Sequence, residues 1–86
     1  MSAAISRTTY ENKTIHNVEA WISANGYFVK RRKEYKSISF ANSEAVVRFT
    51  YVEEDNDWMM HVVGSVSLMD LSYLVMYVNY YRNSII

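Results

Sequence analysis

AVVRFTYV (residues 45–52), EEDND (53–57), WMMHVVGSV (58–66) and SLMDLSYLVMYVNYYRNSII (67–86) follow one another without a proline, and their patterning decides the fold. In the first piece Ala45, Val47, Phe49 and Tyr51 alternate with Val46, Arg48, Thr50 and Val52. That two-residue period marks a half-buried strand with a fairly apolar second face. Glu54-Asp55-Asn56-Asp57 has the composition of a turn, and Trp58–Val66 is the return strand of a hairpin.

The last piece switches to a helical period. Ser67 is a candidate N-cap, with Asp70 three residues on, near the positive end of the helix dipole. Leu71, Leu74, Val75, Val78, Tyr81 and Ile85 recur at spacings of three and four and make one stripe. Met69, Tyr73, Met76, Tyr77 and Tyr80 make a second. A helix apolar on nearly every side is normally covered on several sides. Three arrangements would do that: a central helix between a sheet and another helix, a two-fold dimer through the Met/Tyr stripe, or a docking surface for a different protein. The five residues of the second stripe are the candidate partner-binding set.

Working towards the N-terminus, Ala41-Asn42-Ser43 breaks the strand pattern. Tyr27–Arg31 and Tyr35–Phe40 are extended segments able to pair across a basic turn. Thr14 can cap a helix whose apolar face is Ile15, Val18, Trp21 and Ile22, and Asn25-Gly26 stops it. Ala4–Tyr10 has the character of a short edge strand or a loose arm within residues 1–12. The expected fold class is therefore α+β, one domain over residues 1–86. Its order is helix, three-stranded antiparallel sheet, helix, with both helices on one face.

Composition narrows the function classes. Eighty-six residues make one small domain with a thin core, and half of them are hydrophobic. The absence of cysteine excludes disulfides, zinc–thiolate sites and thiol catalysis, and fits a cytoplasmic protein. Trp58–Tyr81 is long enough to span a bilayer, but Asp70 would lie near its middle at a cost of roughly 2.5–3.5 kcal/mol. Mean hydropathy is −0.18, so no membrane role is expected. Net charge is zero but uneven. Residues 1–41 hold seven basic and three acidic side chains, and residues 42–86 hold two and six.

Few residues carry a chemical signature. Lys30-Arg31-Arg32-Lys33, extended by Lys36, is a cation cluster beside Tyr27, Phe28 and Tyr35, the types that hold phosphates and stack on bases. In a strand, however, Lys30 and Arg32 point one way while Arg31 and Lys33 point the other, and charge on an edge strand also guards it against aggregation. The helix–three strands–helix order is similar to that of double-stranded-RNA-binding domains. The likeness stops at element order, because Ser67-Leu68-Met69-Asp70 stands where that family places phosphate-gripping lysines. Glu53, Glu54, Asp55 and Asp57 lack the spaced ligands and the glycine of a calcium loop. His16 and Glu19 lie three apart on a helix, with His61 the only other imidazole, so no metal site is expected. No glycine-rich phosphate loop or nucleophile elbow is present, and no enzyme activity, cofactor or small-molecule substrate is expected. The function these residues point to is contact: a protein-interaction module or stoichiometric inhibitor, homodimeric or bound to a host protein. A phage- or plasmid-encoded antagonist has this character. The alternative is RNA or DNA binding through Lys30, Arg31, Arg32, Lys33 and Lys36.

Overall fold

The computed structural model describes residues 3–86, with side chains from Thr14 onward. Helix α1 runs Ala3–Ala24, and strands β1 (Phe28–Arg32), β2 (Ser37–Ala41), β3 (Ala45–Val52) and β4 (Asp57–Gly64) follow. Helix α2 (Leu68–Tyr81) and a short 3-10 turn (Arg82–Ser84) close the chain. The α+β class with a helix at each end is as expected, but the sheet has four strands rather than three. They form an antiparallel meander in the order β1-β2-β3-β4. All four extended segments named from the sequence are strands of this sheet, one more than the three-stranded count. A tight turn at Lys33–Tyr35, with Lys36 at φ 51°, lets Phe28–Arg32 fold back along Ser37–Ala41 despite its charge.

The N-terminus also differs from expectation. Residues 4–10 are helical rather than extended, and Thr14 lies inside α1 instead of capping it. The other end of α1 is set locally. The Tyr27 amide donates to the Ile22 carbonyl (3.1 Å) and the Gly26 amide to Ser23 (3.0 Å), with Gly26 at φ 73°. This is a Schellman stop, and Ile22 and Tyr27 are both buried beside it.

Cross-strand register shows what the helices cover. One row on the inner face of the sheet runs Val29–Phe40–Val47–Val62, and the next runs Arg31–Ile38–Phe49–Met60. Phe40, Ile38, Val47 and Phe49 are buried beneath Ile15, Val18 and Ile22 of α1 and Leu74, Tyr77 and Val78 of α2. Each such side chain contributes about 1.5–3 kcal/mol by leaving water. The helices also bind each other. Trp21 stacks on Tyr73 with centroids 4.4 Å apart, and the Tyr81 hydroxyl donates to Glu19 Oε2 at 2.7 Å. At the start of α2 the Ser67 hydroxyl accepts from the Asp70 amide (3.1 Å), the cap expected from sequence.

Two glycines separate backbone strain from crowding. Both have positive φ, 73° at Gly26 and 91° at Gly64. A methyl group at Gly26 meets nothing within 4 Å, whereas at Gly64 it would stand 2.2 Å from the Glu44 carbonyl oxygen. Gly26→Ala should therefore cost about 1–2 kcal/mol, from strain alone. Gly64→Ala should cost roughly 2–4 kcal/mol, since overpacking is added. Urea midpoints at constant m-value check the order.

Candidate functional site

Helix coverage ends one strand short. Met60 and Val62 lie in the inner rows, opposite buried Phe49 and Val47, yet they are 47% and 42% exposed. The reverse face of β4 is open as well, with Met59 exposed and Val63 at 71%. Its far edge pairs with nothing among the described residues, because β4 is the last strand in the order. Asp57–Gly64 carries a single formal charge, Asp57 at its first position, with His61 in its middle. Long edges of this kind normally bear lysine, proline or a bulge that keeps other strands away.

The opposite edge shows that protection. β1 carries Lys30, Arg31 and Arg32 in five residues. The sheet thus has one edge guarded by charge and one left apolar.

Helix α2 has an open side of its own. Relative to Leu74, Leu68 and Val75 lie about 100–120° round the helix, on the side away from Tyr73 and α1. Leu68 is 83% exposed and Val75 is also open. Leu71, Val66 and Trp58 pack at the margin of the core. The Trp58 indole N–H is enclosed without an acceptor among the described residues, an arrangement that costs stability.

The Met/Tyr stripe of α2 divides between interior and surface. Tyr77 is a core residue, 6% exposed, with its ring edge-on to Phe40 at 5.4 Å. Tyr73 is half-buried against Trp21. Met69 and Met76 are exposed, and Tyr80 is about half so, with its ring against Tyr81. A stripe on a helix apolar all round does not reveal which side the sheet takes. Exposed Met59, Met60, Val62, Val63 and Leu68 were not among the residues singled out from sequence. Their signal was present, in a strand apolar on both faces.

The basic run divides as strand geometry requires. Lys30 and Arg32 reach the outer face of the sheet and line a shallow concavity of about 470 Å³. Arg31 turns to the helix side, its guanidinium 4.4 Å from the centre of the Tyr81 ring. Lys33 sits in the turn, and Lys36 pairs with Glu53. The five cations therefore do not form one surface. Of the acidic residues at the β3–β4 turn, Glu53 is engaged by Lys36. His16 Nδ1 and Glu19 Oε1 are 4.0 Å apart, and among the described residues no three His, Asp or Glu converge as metal ligands. None of the helices described is long and apolar enough to cross a membrane.

Electrostatics single out the seam between the helices. The Tyr81 hydroxyl is pushed up to about 12 because it donates to the Glu19 carboxylate, with burial adding to the effect. Burial likewise raises Tyr77. A folded value above the unfolded value of 10.0 means the Tyr81 contribution is complete below pH 10 and is lost as pH climbs towards 12. Tyr81→Phe should remove that pH-dependent part, so denaturant midpoints measured from pH 9 to 12 should fall less steeply than in the parent chain.

No protein-family model, curated protein or solved structure matches this chain.

Proposed function

We propose that this chain acts by contact rather than by turnover, as a small protein-interaction module whose working surface is the open flank of β4. The observation that carries this reading is the placement of Met60 and Val62 in the core-facing rows of the sheet while both stay exposed. The first occupant is a second copy. An apolar edge that is self-complementary satisfies both partners at once when two copies meet about a two-fold axis. An axis perpendicular to the sheet keeps both helix layers on one side. Met60 and Val62 of the two copies then meet on the helix side, and Met59 and Val63 on the other. Ladder hydrogen bonds give such pairing its strength, and alternate side chains give it selectivity.

A stoichiometric inhibitor would use the same surface, exchanging the second copy for an edge strand of its target. A cytoplasmic setting belongs to the same proposal and rests on the cysteine-free composition. Light scattering on the intact chain tests it. The expected mass at micromolar concentration is twice the 10.1 kDa of one chain, falling towards that value on dilution. A particle of one chain at every concentration contradicts self-pairing.

A further inference from the structure

The outer face of the sheet carries its own chemistry, away from both helices. Register places Lys30, Ser39, Arg48 and His61 in a single row across all four strands. The neighbouring row runs Arg32, Ser37, Thr50 and Met59. Neither row contains an acid. The nearest acid in the strands of that face is Asp57, which pairs with Val52 beyond the second row. Small hydroxyl residues therefore form a floor between cations. Lys30, Arg32, Tyr35, Ser37, Ser39, Arg48 and Thr50 line the concavity they enclose.

Spacing and stacking surfaces narrow the ligand. Lys30 and Arg32 stand two residues apart on one strand, about 6.6 Å, and Arg48 lies two strands from Lys30, about 9.5 Å. A flexible polyanion can follow such a track and set successive phosphates against the three cations. Tyr35 is 63% exposed at the wall of the concavity, beneath the Arg32 guanidinium at 5.8 Å. Phe28 is exposed on the same outer face, next to Lys30's row. Exposed rings beside cations on a polar floor suit unpaired bases, which stack in a sequence-tolerant way while arginine and lysine hold the phosphates.

We propose that this face binds single-stranded nucleic acid, with Lys30, Arg32 and Arg48 on phosphates and Tyr35 and Phe28 under bases. The site differs from the linear basic run. It gains Arg48 from β3 and loses Arg31 to the Tyr81 ring and Lys36 to Glu53. It is independent of self-pairing through β4.

Fluorescence anisotropy of a labelled oligouridine, titrated with the intact chain over a series of salt concentrations, provides the test. Arg32→Ala and Arg48→Ala should each weaken binding at least about fivefold and lower the salt slope by about 0.7, one phosphate contact apiece. Tyr35→Ala should weaken it about fivefold or more without changing the slope. Arg31→Ala, checked by circular dichroism to be folded, should bind as the parent does. No binding at low salt overturns the proposal. So does equal competition by polyglutamate or duplex RNA, or an Arg31→Ala loss as large as that of Arg48→Ala.

Discussion

Phe40→Ala is expected to lower the stability of the fold by about 3–5 kcal/mol. Phe40 is fully buried in the centre of the sheet. It meets Phe49 edge-on at 6.0 Å and Tyr77 edge-on at 5.4 Å, so it joins two strands to α2. Removing the ring leaves a void that strands β2 and β3, paired on both sides, cannot close. A chain of this length has roughly 4–13 kcal/mol of stability in all. The substitution therefore takes a large share of it and should lower the thermal midpoint by roughly 12–40 °C. Phe28→Ala serves as the control, since that ring is 70% exposed and its loss should fall within about 0.5 kcal/mol. Denaturant unfolding of the two variants side by side reads the difference, and equal midpoints would show that the core is wrongly placed. Protein concentration must be held fixed, because self-association makes the midpoint concentration-dependent.

The second large effect concerns assembly. Val62→Lys and Val63→Lys put one charge on either face of β4, at positions already open to solvent. Val63→Lys should change the stability of the single chain by no more than about 0.5 kcal/mol, while Val62→Lys, opposite buried Val47, should cost somewhat more, about 1 kcal/mol. Each should raise the dissociation constant of the pair at least about 100-fold, or 2.7 kcal/mol, since each lysine would be set against an apolar side chain of the partner with no counter-charge to pair it. Sedimentation at a concentration where the parent is dimeric should find one chain. Met69→Lys gives the contrast. Met69 belongs to the exposed part of the α2 stripe, so a mass that drops for Met69→Lys but not for Val62→Lys would move the contact from β4 to α2. Tyr77→Glu cannot serve in this comparison, because it buries a charge beside Phe40 and unfolds the chain whatever the assembly.

What sequence revealed and what it concealed follow from how local each signal is. The Ser67 cap, the Asn25-Gly26 stop and the β3–β4 hairpin each depend on a few adjacent residues, and each appears where its residues place it. The N-terminal half of α1 has no apolar period to announce it. β1 was legible as an extended segment but not as a full member of the sheet, since only Val29 on that strand is an apolar inward residue. Tyr77 was legible as one of an apolar stripe. Its place in the core was not, because a helix apolar all round presents the same pattern to a sheet on either side.

The open flank of β4 was concealed by a different route. WMMHVVG reads the same whether it lies in the middle of a sheet, where both faces are covered, or at its edge. Only the strand order decides, and strand order is not a property of the segment. The outer cationic face is likewise a product of register, which brings Arg48 level with Lys30 across eighteen positions of sequence.

Amide hydrogen exchange on the intact chain, above and below the concentration at which it pairs, addresses the surface and the assembly together. In β4 every second amide points away from β3, and in a lone chain those groups exchange freely. The account predicts that their protection rises with concentration, while the free edge of β1 and the exposed side of α2 stay unchanged. Protection that never changes along residues 57–64, or that appears at β1 or α2 instead, would contradict it.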